Sequence, residues 1–307
     1  MRYYNFKNIG FSMIELLISM VVASIIIIGV YSFLTSSQRS FTMVQANDGM
    51  NRSMQMTNRN ITDYLKMAGF RNYHMVVKGA TFKEATYNFG SGASDVHFAN
   101  NSYIAADGTD GSKKHEIFLR YYGSSIDDDL NINGKNFDEN KNNNRRMFDC
   151  AGTFLNRDKL AVIRLYIDDS VTHPGLMCQQ IIVDVSTPSN PVAGEVETFL
   201  VNPDVRFMMF AFRSDDRSQF FLPFEMDSYS KDVVKNYTTV NSIRYGFIIQ
   251  QSTHQKATSI KGNTLEYHLL GMDDAKDKVT IPSTGDSTND MYNLISGLAY
   301  AKNRFFE

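Results

Sequence analysis

Hydrophobic and polar positions divide the chain into three regimes. Residues 13–34 (MIELLISMVVASIIIIGVYSFL) are almost unbroken apolar, and residues 36–69 place apolar side chains at helical intervals. From residue 70 onward, short apolar runs alternate with turn residues. A helix needs roughly 20 residues to cross a hydrocarbon core of about 30 Å, and the first regime meets that length. It therefore predicts a membrane span. Between Phe11 and Gln38 the only formally charged side chain is Glu15. A lone carboxylate at the centre of such a run costs on the order of 2.5–3.5 kcal/mol on insertion scales. That cost marks Glu15 as a functional position.

The second regime extends the same helix beyond the membrane. No proline occurs between Ser36 and Gly69, and Gly49 is the only interior glycine. Met43, Met50, Met54, Ile61, Leu65 and Ala68 recur at the spacings of one helix face. The methionines among them read as a packing seam, since an unbranched thioether fills irregular gaps. Gly69 is a helix stop. A single helix from Phe11 to Gly69 would be roughly 90 Å long, half in lipid and half against a head.

The third regime predicts a β-rich head. Candidate strands are residues 116–122, 160–167, 180–185, 205–212, 243–250 and 298–305, of which 160–167 (LAVIRLYI) has the strongest β-branched content. The gaps between them are long, which argues against a simple meander. Residues 124–147 are rich in Asp and Asn, and 251–297 reads as a long polar interruption before the last strand. The fold class expected is α+β.

Charge and composition narrow the function little. The 307 residues carry a formal net charge of −2, so overall charge offers no footprint for nucleic acid. Arg2 and Lys7 precede the span and favour a cytoplasmic N-terminus. Arg39 lies beyond it, but a long polar segment translocates regardless of charge. Trp is absent while Phe and Tyr number 22 and 16, which suits sheet. Cys150 and Cys178 are the two cysteines. A segment translocated behind a membrane helix enters an oxidising space, where such a pair tends to form a disulfide. Two buried free thiols are the alternative. A metal site has less support, because only His173 lies near Cys178 and no CxxC spacing occurs.

No G-x-S-x-G elbow, H-E-x-x-H pair or Gly-Lys-Ser/Thr phosphate loop is present, and the six histidines are scattered. No enzyme activity, catalytic residue or cofactor is predicted. Asp129-Leu130-Asn131-Ile132-Asn133-Gly134 fits the first half of a calcium loop, with oxygens at alternate positions and glycine at the sixth. The second half fails, because Asn140 holds the twelfth position and Glu139 comes one place early. A solvated loop is the expected reading, with calcium on Asp129, Asn131 and Asn133 as the alternative.

A basic leader ending in Gly10, then Phe11, then Glu15 four residues later, then a membrane-length apolar run resembles the N-terminal signature of type IV pilins and pseudopilins. An ordinary secretory signal has a core of about 7–15 residues, shorter than this one. A plain anchor leaves Gly10, Phe11 and Glu15 unexplained. Further along, DYLKMAGF (63–70), EIFLRYYG (116–123), CAG (150–152), LMC (176–178) and LAYAKNRF (298–305) follow the order of weak patterns in the PilW family of minor pilins. The resemblance implies a type IV pilin fold, with a long N-terminal transmembrane helix packed on a globular head with an antiparallel sheet. It implies cleavage by a prepilin peptidase between Gly10 and Phe11, N-methylation of Phe11, and subunit assembly through Glu15. The leader would be residues 1–10, the transmembrane half of the helix 11–35, its periplasmic half 36–72 and the head 73–307. Partners implied are other minor pilins, the major pilin and the inner-membrane assembly platform of a Gram-negative cell. The head would be periplasmic first and on the pilus later. A type II secretion pseudopilin and a membrane-anchored ligand-binding or adhesive head are the alternatives.

Overall fold

An unbroken helix, α1 (Met13–Met67), runs through both helical regimes. The computed structural model describes residues 12–71, 81–90, 95–108, 112–124, 147–170, 175–187, 191–214, 218–228, 237, 240–252, 265–272, 276–281 and 290–300. Two compact units divide the chain, Met1–Gly49 and Met50–Glu307. No residue from Ser12 to Gly49 is buried. From Met50 onward one helix face closes, and Met50, Thr57, Ile61 and Leu65 are buried. The apolar seam therefore starts at Met50, and Met43, expected to belong to it, is 47% exposed. The helix ends as the glycine at 69 predicts. Gly69 has φ +75°, the left-handed region that a Cβ disfavours. Its N–H donates to Arg120 O at 3.0 Å, and the Tyr122 N–H donates to Phe70 O at 2.9 Å, so the helix exit is bonded to the sheet.

The largest sheet has the order β3 (Ile104–Asp107), β4 (Glu116–Tyr122), β5 (Lys159–Asp168), β6 (Gly175–Asp184) and β7 (Val192–Asn202). Every pairing in it is antiparallel, so it is a meander in chain order. The long gaps had argued against this. Closing a longer loop adds little entropy cost once the loop is long, so the span from Gly123 to Asp158 does not keep β4 from β5. β4 matches its predicted limits, and β5 extends residues 160–167 by one at each end. β6 begins five residues before the predicted 180, because Leu176, Met177 and Cys178 pair with β5 although they lack β branching. β7 was not predicted.

A three-stranded sheet has the order β12 (Asp290–Tyr300), β9 (Val240–Ser252) and β8 (Val205–Ser214). The last strand begins at Asp290, eight residues before the predicted 298, and residues 301–305 lie outside the described part. Two short ribbons complete the described strands, β1 (Ala85–Tyr87) with β2 (Val96–Phe98) and β10 (Leu265–His268) with β11 (Lys278–Ile281). One core gathers Ile61 and Leu65 of α1, Leu119, Ile163 and Leu165 of the first sheet, and Phe210 and Phe247 of the second. The sheets are also joined by backbone. The lead-in to β4 pairs Lys114 with Met208 in a parallel bridge.

The segment read as a polar interruption is a correction. Leu269, Leu270, Val279 and Ile281, in and beside the β10–β11 ribbon, are buried with Met209 and Ile248 in a second core, alongside Leu222 at the start of α2 (Pro223–Ser228). Gly246 on β9 makes this approach possible, since a Cβ there would lie 1.8 Å from Leu269 O. Asp277, itself buried, accepts the N–H of Leu270 at 3.2 Å and of Met272 at 2.9 Å and contacts His268 Nδ1 at 2.8 Å. A buried carboxylate so surrounded by donors fixes the turn it caps.

Candidate functional site

Among the described residues, none from Ser12 to Gly49 of the apolar helix is buried. Met13–Met67 contains the only helix among the described residues that is long and apolar enough to cross a membrane. Three hydroxyls in and just after its apolar run bond back to the helix. Ser19 Oγ donates to Leu16 O at 2.9 Å, Ser24 Oγ to Met20 O at 2.8 Å and Thr35 Oγ1 to Tyr31 O at 2.8 Å. In hydrocarbon an unsatisfied polar group is costly, so this back-bonding suits a lipid-facing segment.

Glu15 sits in the first turn. Its Oε2 accepts the backbone N–H of Ser12 at 3.0 Å, while the Ile14 N–H donates to Ser12 Oγ at 3.4 Å. Leu16 N–H donates to Ser12 O at 3.2 Å, which makes Ser12 the N-cap and Glu15 the third helical residue. Glu15 supplies the N3-carboxylate half of a capping box, while the Ser12 hydroxyl caps the N2 rather than the N3 N–H. The carboxylate also lies where the helix dipole favours negative charge. Ser12 was missed from the sequence, although the S-x-x-E spacing of Ser12 to Glu15 ahead of an apolar run signals it. Gly10 and Phe11 lie outside the described residues, as do the calcium-loop candidates Asp129, Asn131 and Asn133.

The lower helix is held to the head by a polar cluster as well as by the core. Asn202 Nδ2 donates to Ser53 Oγ at 2.8 Å and to Thr57 Oγ1, and Ser53 Oγ donates to Asp204 Oδ2 at 3.1 Å. On β9 the Tyr245 hydroxyl is 2.7 Å from Thr62 Oγ1 and donates to Asn58 Oδ1 at 2.7 Å. Gly297, opposite Tyr245 on β12, leaves room for that ring, since a Cβ there would meet the hydroxyl at 2.3 Å. Burial, with Asp149 and Asp63 nearby, pushes the Tyr64 phenol up to about 12, so it stays a neutral donor.

Cys150 and Cys178 are disulfide-bonded, with Cα atoms 5.9 Å apart. Cys178 lies in β6, and Cys150 lies in a tight loop closed by a Phe148–Phe154 bridge. Two further bonds hold that loop to the sheet: Cys150 N–H to Gln180 Oε1 at 2.6 Å and Tyr121 OH to Phe148 O at 2.6 Å.

Residues 5–31 match the prokaryotic N-terminal methylation motif. No curated protein and no solved structure matches the chain. The motif, followed by an exposed apolar helix long enough to cross a membrane, is a prepilin-type signal of the kind pilins and pseudopilins carry.

Proposed function

We propose that the chain is a minor pilin of the PilW type that takes part in initiating or capping a type IV pilus. Residues 1–10 act as the leader, a prepilin peptidase cuts between Gly10 and Phe11, and Phe11 is N-methylated. Residues 11–35 anchor the subunit in the inner membrane, residues 36–72, helical as far as Met67, lead into the periplasm and residues 73–307 form the head. The subunit then joins other minor pilins and the major pilin at the assembly platform. What supports the reading most is a methylation motif at 5–31 that leads into an apolar helix with no buried residue before Met50. Such a surface needs lipid first and other helices afterwards.

The test is the mature N-terminus. Mass spectrometry of protein from the membrane should find a chain that begins at Phe11 and carries one N-methyl group. An intact Met1, or a start near Gln38, would end the pilin reading. Deletion should abolish pili and leave protein secretion intact, whereas the reverse phenotype would assign the chain to type II secretion.

Glu15 sets the axial register in this reading. Apolar helices slide past one another with little penalty, while a carboxylate seeks the new Phe11 amine of a neighbouring subunit. Cap and charge separate experimentally, because Glu15→Gln keeps an oxygen for the cap and loses the charge. Both Glu15→Gln and Glu15→Ala are expected to insert, form the disulfide and lose on the order of tenfold in co-purification with partner minor pilins. A defect in Glu15→Ala alone would show that capping, and not register, is the role.

A further inference from the structure

His115 lies where the two sheets of the head are joined, and its ring is buried. The backbone around it is the joint: the His115 N–H donates to Met208 O at 2.8 Å, and the Met208 N–H donates to Lys113 O at 3.1 Å. The ring packs on Gly108, where an added Cβ would lie 2.8 Å from its Cδ2. Nδ1 is 3.3 Å from both the nitrogen and the oxygen of Phe210 on β8. Nε2 is buried and has no hydrogen-bond partner among the described residues.

This pocket accepts a neutral imidazole and opposes the cation. A neutral ring satisfies Nδ1 in either tautomer, by accepting from the Phe210 N–H or donating to the Phe210 carbonyl. In the imidazolium both nitrogens carry protons, and the buried Nε2–H has no well-formed hydrogen bond among the described residues, the Ser112 backbone offering only partial compensation. Burying an unpaired charge costs far more than burying an unpaired neutral group. Burial is the main cause that lowers the ring to about 4 from an ordinary 6.5. The Phe210 and Ser112 backbones and Asp107 at the end of β3 favour the cation, and Lys113 on the lead-in opposes it.

We infer that His115 is an acid-sensitive latch at the junction of the two sheets: a proton taken up on its ring opens the backbone joint between residues 113–115 and Met208. The unfolded chain binds this proton more tightly than the folded one. The stabilisation is therefore complete above the unfolded value near 6.5 and is lost as pH falls through the folded value near 4. At pH 4.5 the loss amounts to on the order of 10²-fold in the closing equilibrium.

The full chain in detergent micelles tests this in two ways. An NMR titration should find the His115 ring neutral down to pH 5, and a ring that titrates near 6.5 overturns the latch. Hydrogen exchange, corrected for intrinsic rates, should show the His115 and Met208 amides losing about a hundredfold in protection between pH 7 and 4.5. Amides between β5 and β6 should lose less. His115→Gln keeps a donor and an acceptor and takes up no proton, so its joint should keep its protection. Equal losses in both proteins overturn the proposal, and the titration of the wild-type ring decides the matter even if the variant does not fold.

Discussion

Replacing Arg120 by methionine is expected to lower the melting temperature of the head by roughly 10 °C. Arg120 is in β4 and only 1% exposed. Its guanidinium serves main-chain carbonyls on the segments that flank β1 and β2. Nε donates to Ser102 O, Nη1 to Lys83 O at 2.7 Å, and Nη2 to Phe82 O at 3.2 Å and Ala99 O at 3.0 Å. The Phe82 and Phe98 rings lie 5.1 and 4.7 Å away and hold the cation between them. Burial lowers the group to about 10, which leaves it charged at neutral pH. Methionine keeps most of the stem volume and removes every donor. Charged hydrogen bonds contribute about 1.5–3 kcal/mol each, and a buried acceptor left alone costs its desolvation besides. A net loss of about 4 kcal/mol follows even if half the carbonyls find water, and each kcal/mol moves the melting point of a domain this size by about 2–4 °C. Arg120→Lys should not restore stability, since an ammonium is a point donor that cannot reach carbonyls on several segments together. Calorimetry of the two variants checks this, and a methionine variant melting within 2 °C of wild type would refute it.

Removing the disulfide is expected to cost about 3–4 kcal/mol, the chain entropy of a cross-linked loop of roughly 28 residues. The bond spans 28 positions and encloses the whole of β5. Hydrogen bonds from Gln180 and Tyr121 still tether the Cys150 loop without it, so the folded shape should survive at low temperature. Cys150→Ser should therefore melt roughly 10 °C earlier and be cut sooner by protease between β4 and β5. Alkylation of both thiols in protein taken from the membrane without reductant would exclude the bridge in the cell, and an unchanged melting point would exclude its energetic role.

The parts of this protein that could be read from the sequence are those whose signal comes from near neighbours. Residues 13–34 specify a span because hydropathy over a window is a local property, and Gly69 ends the helix because only its own backbone must turn left-handed. β4, β5 and β9 were found because they have a strand on each side and carry continuous apolar character, and β8, an edge strand, was found because its own run FMMFAF is as continuous. β7, β10, β11 and most of β12 were not. β7 and β12 are edge strands and the other pair is a short ribbon, so each has one strand neighbour in its sheet. Their identity comes from that partner, across a separation that periodicity does not register. Nothing in the sequence singled out Arg120 within the predicted strand 116–122, and His115 was one of six scattered histidines, yet both are buried. The carbonyls that receive Arg120 come from 18 to 38 residues away. Burying a charge is tolerable only when such distant acceptors converge on it, and convergence belongs to the tertiary fold. Sequence alone thus determined the anchor, the long helix, the Cys pair and the class of head. Only folding decided which edge strands pair, which sheet face the ribbon covers and which polar side chains hold the core, because those depend on groups that chain order does not bring together.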